Sequence, residues 1–62
     1  MCEAHAFLLK ENQEEKILES VDLVELDDDG VRLVNIFGEQ KNLKARFKFY
    51  NNSERKIVFE PL

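Results

Sequence analysis

The sequence predicts an all-β fold, a small antiparallel β-barrel or meander sheet of about six short strands. Three observations carry this. Leu43, Ala45, Phe47 and Phe49 alternate with Lys44, Arg46, Lys48 and Tyr50, the period of two that turns one set toward a core and the other toward water. Asp29-Gly30 stands between two apolar runs, the strongest short hairpin signal, since the turn needs residues that tolerate positive φ. No segment makes a convincing helix, and the only proline is Pro61.

The elements follow in order. Ala4 to about Lys10 reads as a strand with two fairly apolar faces, Ala4, Ala6 and Leu8 against His5, Phe7 and Leu9, as in a strand covered on both sides. Glu11-Asn12-Gln13-Glu14 reads as a turn. Lys16 to Leu26 mixes helical spacing (Ile17, Val21, Val24) with alternation (Val21, Leu23, Glu25); its neighbours favour two short strands with a corner at Ser20-Val21-Asp22. Val31 to Phe37 is the return strand of the Asp-Gly hairpin, and Phe37-Gly38-Glu39 breaks it. The alternating strand from Leu43 to Tyr50 follows, then a turn at Asn51-Asn52-Ser53-Glu54. A last strand runs from Lys56 to Glu60. Phe7, Phe47, Phe49 and Phe59 are the expected core aromatics.

With 62 residues, the expectation is one domain over residues 1–62. A domain this small buries only about 60% of its unfolded surface and usually needs a staple. Cys2 is the only cysteine, so an internal disulfide is excluded, leaving a metal or a second copy of the chain. Hydrophobic residues at 44% against 35% charged give a globular balance rather than a disordered one. A net charge of −4 argues against a general nucleic-acid binder. No apolar run approaches the roughly 20 residues that span a bilayer. The N-terminus is too short and too acidic for a signal peptide, and a lone thiol fits a reducing compartment, so the expected location is cytoplasmic.

Cys2 leads the candidates for chemistry. With Met1 removed, the free amine and thiolate of Cys2 close a five-membered chelate, and two chains supply two nitrogens and two sulfurs. With Met1 retained, one chain offers the Met1 amine, the deprotonated Cys2 amide and the thiolate. Square-planar nitrogen with soft thiolate suits Ni(II) or Cu(II). The bland alternative is an incidental cysteine. His5, the only histidine, is not at the third position that the N-terminal copper/nickel motif requires, and it reads as a polar surface or interface residue. Asp27-Asp28-Asp29-Gly30 lacks the spacing of a calcium loop and reads as a charged turn. Lys44, Arg46, Lys48 and Tyr50 form a basic strip with an aromatic, of the kind that holds single-stranded RNA; an ordinary solvated strand face balanced by Glu39, Glu54 and Glu60 is the favoured reading. No catalytic triad, phosphate-binding glycine loop or CxxC pair is present, and the spacing of Cys2 and His5 opposes a dyad. The chain does not read as an enzyme.

Met1-Cys2-Glu3-Ala4, Asp29-Gly30-Val31-Arg32-Leu33, Ile36-Phe37-Gly38-Glu39 and Lys56-Ile57-Val58-Phe59-Glu60 together resemble the CooT family, small nickel-binding proteins first associated with carbon monoxide dehydrogenase maturation. Some members carry an RNA-binding label. The resemblance spans nearly the whole chain and implies a β-barrel-like homodimer that binds Ni(II) through Cys2, with its backbone nitrogen and Met1, and serves a nickel-enzyme client. His5 departs from the family, which often has Lys there. A purely structural dimerisation module is a further alternative.

Overall fold

The computed structural model describes residues 4–62. Six strands, β1 (Ala4–Lys10), β2 (Gln13–Asp27), β3 (Gly30–Asn35), β4 (Gln40–Leu43), β5 (Ala45–Asn51) and β6 (Lys56–Pro61), form one sheet with the order β4-β3-β2-β1-β6-β5. The fold is all-β, and the sheet is an open meander rather than a closed barrel. Among the described residues no helix is long and apolar enough to cross a membrane.

Every neighbouring pair is antiparallel except β1 and β6, which run parallel with Ala6 opposite Ile57 and Leu8 opposite Phe59. A wholly antiparallel sheet was expected; the difference arises at the edges. β4 and β5 lie on opposite edges of the sheet, yet Lys44 alone separates them. Consecutive Cα atoms are only about 3.8 Å apart, so the sheet must curl until its two edges meet at this corner. β5 then leads the chain back beside the first strand, and β6 arrives in the direction of β1. The Leu62 amide donates to the Lys44 carbonyl at 3.2 Å and holds the corner.

Gly30 belongs to this corner too. Asp28 and Asp29 form the two-residue turn without positive φ, and Gly30 opens β3 with φ 153°. A Cβ there would collide with the Leu43 carbonyl. The glycine is needed for close passage of β4 more than for the turn itself. The Glu11-Asn12 turn does use positive φ at both residues, 53° and 66°, the primed geometry that suits a tight hairpin. Gln13 and Glu14, expected in that turn, are already paired with Lys10 and Leu9.

The stretch expected as two strands is one continuous strand, β2, bent where the corner was expected. Ala4 pairs with Val21 and Ala6 with Leu18, so Glu19 and Ser20 face His5 alone. Asp22 is likewise extra against β3, since Val21 pairs with Asn35 and Leu23 with Val34. These bulges sharpen the twist and let β2 exchange β1 for β3 without ending. Conversely, the strand expected from Leu43 to Tyr50 is split at Lys44.

Ala6, Leu18, Val21, Val31, Leu33, Ala45 and Phe59 form the core, with Leu8, Ile17, Val24, Leu43 and Ile57 against it. Of the four expected core aromatics only Phe59 is fully buried; Phe7 is half-buried, and Phe47 and Phe49 are 44% and 38% exposed. A bulge at Lys48 explains the position of Phe49, while Phe47, ahead of the bulge, keeps the face of Phe59 at the open end of the core. Phe47 pairs with Phe59, Phe49 with Val58 and Tyr50 with Ile57, so the alternation inverts within β5. Ala4, Ala6 and Ala45 are buried where the curled sheet brings its strands close, beside larger residues such as Leu33 and Phe59.

Candidate functional site

Cys2 and Met1, the expected metal ligands, lie outside the described residues. The first described residue, Ala4, is buried and already in β1. Among the described residues no group of three or more His, Cys, Asp or Glu side chains is placed to hold a metal ion.

His5 is half-buried beside the N-terminal segment. Its Nδ1 accepts a hydrogen bond from the Ser20 amide at 3.3 Å, and its own amide donates to the Arg55 carbonyl at 2.8 Å. The expectation of a surface or interface histidine missed this tie to β2. The available signal was Ser20 in an otherwise apolar run, a residue type that marks bends.

The basic strip does not assemble as expected. Arg46 Nε and Lys48 Nζ both reach the Glu60 carboxylate, at 2.8 and 3.6 Å. Glu60 therefore compensates part of their charge. The bulge turns Tyr50 to the other face, where its hydroxyl donates to Asn52 Oδ1 at 3.0 Å. Lys44 sits at the corner, beside the cleft that Asp27 and Asp29 line. The acidic run is an exposed turn, as expected, with the Asp28 amide held by Asp27 Oδ1 at 2.6 Å.

Two features were not read from the sequence. One is a shallow apolar mouth lined by Val24, Leu26, Phe47, Tyr50 and Ile57. It lies where β5 passes the β2–β3 hairpin, with Leu26 61% and Tyr50 51% exposed. The bulge at Lys48 creates it by placing Phe47 and Tyr50 on one face. The other is Asn35, buried at the end of β3. Its Oδ1 accepts from the amides of Phe37 (3.1 Å) and Glu39 (2.8 Å), and its Nδ2 donates to Glu39 Oε1 at 2.6 Å. With the backbone bonds from the Asn35 amide to the Glu39 carbonyl and from the Gly38 amide to the Asn35 carbonyl, both 3.0 Å, this side chain holds the turn that Phe37-Gly38-Glu39 was expected to make.

On the opposite face, Lys56 Nζ contacts Glu14 (2.6 Å) and Glu54 (3.2 Å) and lies 5.2 Å from the Phe7 ring centroid. The hydrogen bonds to Glu14 and then Glu54 hold its ammonium above the usual lysine range. Glu19 is held below the usual carboxylate range, first by its hydrogen bond from Lys16 and by that charge, and to a lesser degree by His5.

The fold is shared with a known structure. The crystal structure assigned to CooT from Carboxydothermus hydrogenoformans matches with a TM-score of 0.89 and 38% sequence identity, covering 98% of each chain. No curated protein matches. Residues 1–60 match the family described as CO dehydrogenase accessory protein CooT. The chain is a member of the CooT family, the accessory proteins of CO dehydrogenase.

Proposed function

We propose that the chain carries nickel as cargo, as a metallochaperone or store acting as a homodimer in the cytoplasm, with Cys2 as the anchoring ligand and a nickel enzyme as client. The observation that carries this reading is family membership over residues 1–60. Donor chemistry supports it. The Cys2 thiolate with its own backbone nitrogen, or with the Met1 amine, suits Ni(II) in a square-planar arrangement. The described residues offer no competing cluster of three donors. Two Cys2 chelates from two chains give the four donors that one chain with Met1 removed lacks.

The second copy finds support in the apolar mouth. A core this small leaves Leu26, Phe47 and Tyr50 exposed together, and aromatic and aliphatic anchors of this kind form the centre of protein interfaces. An isologous contact through one face needs no other partner.

Native mass spectrometry of untagged protein with and without Ni(II) tests the proposal by reading oligomer, stoichiometry and N-terminal processing together. A dimer that gains nickel, and a Cys2→Ser variant that does not, support it. Unchanged nickel binding in Cys2→Ser refutes the ligand assignment. Reversing the charges of Lys44, Arg46 and Lys48 leaves nickel binding intact on this reading; a gel shift that those reversals abolish marks an RNA-binding module instead.

A further inference from the structure

We propose that His5 is an acid-sensitive latch on the corner where β2 changes partners, and that opening it speeds nickel release from the N-terminal site; the second half rests on the nickel reading above.

The corner depends on a residue in an uncomfortable conformation. Ser20 has φ 55°, a left-handed backbone that non-glycine residues adopt only when their surroundings compel it. Because Glu19 and Ser20 both oppose His5, the bulge takes Ser20 out of regular ladder pairing. Its amide goes instead to His5 Nδ1, and its carbonyl accepts from the Ile36 amide at 3.0 Å. His5 thus ties β1 to the bulge in β2, and through Ser20 to the end of β3.

An imidazole nitrogen that accepts a hydrogen bond belongs to the neutral ring, with the proton on Nε2. Protonation places an N–H at Nδ1 directly against the Ser20 N–H. The bond becomes a repulsion, and a part-buried amide in a strained residue loses its partner.

The charged groups around the ring give the protonated state somewhere to go. From β2, Glu19 interacts electrostatically with His5, and the Lys16 ammonium 3.0 Å from its carboxylate keeps Glu19 ionised into the acid range. From the β6 side, Lys56 is the strand partner of His5 and Arg55 precedes it. Lys56 is engaged by Glu14 and Glu54. Glu19 is therefore the carboxylate toward which a protonated His5 turns, away from Ser20. His5 is the second residue of β1, so this movement loosens the strand that directly follows the Cys2 segment.

Two-dimensional 1H–15N NMR on the untagged, metal-free protein, titrated from neutral to acid pH, tests the latch without any metal. The Ser20 and Ile36 amide signals should shift with the same midpoint as the His5 ring protons. The exchange protection of Ser20 should fall roughly five- to tenfold, the loss of one ordinary hydrogen bond. In His5→Gln, which accepts through its amide oxygen and does not titrate, both responses should vanish while the rest of the spectrum is kept. A Ser20 amide that ignores the ring titration overturns the latch, as does an identical response in His5→Gln. Should that variant fail to fold, the wild-type titration alone still decides. Stopped-flow transfer of Ni(II) to a chelator then tests the coupling. Release should accelerate several-fold more in wild type than in His5→Gln over the same pH drop. Equal acceleration overturns the coupling and leaves the latch standing; no nickel uptake at any pH overturns the nickel reading, and the NMR result is untouched.

Discussion

The ring of Phe47 stands edge-on to that of Phe59, with centroids 6.2 Å apart and planes at 76°, one ring 44% exposed and the other fully buried. The pair joins the core to the apolar mouth. Edge-to-face pairs contribute about 0.5–1.5 kcal/mol beyond their area, and truncating a buried Phe costs about 3–5 kcal/mol. Phe59→Ala should therefore unfold a domain this small at room temperature. Phe47→Ala should cost only about 1–2 kcal/mol, since its ring is already half in water. Urea titration followed by circular dichroism separates the two; equal losses would show that Phe47 is as deeply packed in solution as Phe59.

Leu26 tests the dimer. It is 61% exposed at the rim of the mouth, so Leu26→Glu should keep the strand and its pairing with Val31. In the proposed homodimer it places a charge at the contact and should raise the dimer dissociation constant more than tenfold. Sedimentation equilibrium reads this directly. A variant that stays dimeric at the same concentration excludes the mouth as the interface.

The Asn35 side chain supplies three of the hydrogen bonds that hold the turn after β3. Asn35→Leu leaves the amides of Phe37 and Glu39 without their Oδ1 acceptor and should cost about 1–3 kcal/mol. Thermal melts should show the loss, and hydrogen exchange should place it at residues 36–40. A loss spread evenly over all strands would contradict a local role.

Lys56 contributes to stability at alkaline pH through Glu14 and Glu54. Its folded ammonium is held above the ordinary value of 10.5 by Glu14 and Glu54. For a raised pKa the stabilisation is complete below the unfolded value and disappears as pH climbs through the folded one. The melting temperature should thus be insensitive to Lys56 ionisation near neutrality and decline above that ordinary value. Lys56→Met, which keeps much of the contact with Phe7, should lower stability at neutral pH and flatten the alkaline decline. An unaltered decline in the variant would assign it to another group.

How far the sequence reached is clear from particular residues. Apolar runs bounded by turn residues placed β1 and β6 within a residue or so and brought β3 to its turn, because these strands are paired on both sides and covered along their length. The family resemblance, carried by motifs at both ends of the chain, anticipated the match over residues 1–60. Bulges were the obstacle. An extra residue such as Lys48 leaves no mark in an alternating pattern, yet it inverts every face after it in the strand. That single inversion moved Tyr50 from the basic strip to the apolar mouth and took Phe49 out of the expected core. The Asp-Gly turn was located correctly, but the glycine answers to Leu43, which lies thirteen positions downstream. Local sequence cannot announce a steric requirement set by a strand that has yet to be written.

The strand order has a temporal meaning. β1 and β6, the first and last strands, are neighbours in the middle of the sheet rather than at its margins. A nascent chain lacking β6 leaves one side of β1 and the whole of β5 without a partner, and Phe59, the largest fully buried side chain, has not yet been made. Pairing across such sequence distance is slow because loop closure must precede any reward. The sheet is therefore incomplete until β6 takes its place between β1 and β5. Until β6 docks, the edge of β1 from His5 to Leu8 keeps backbone groups without their ladder partners.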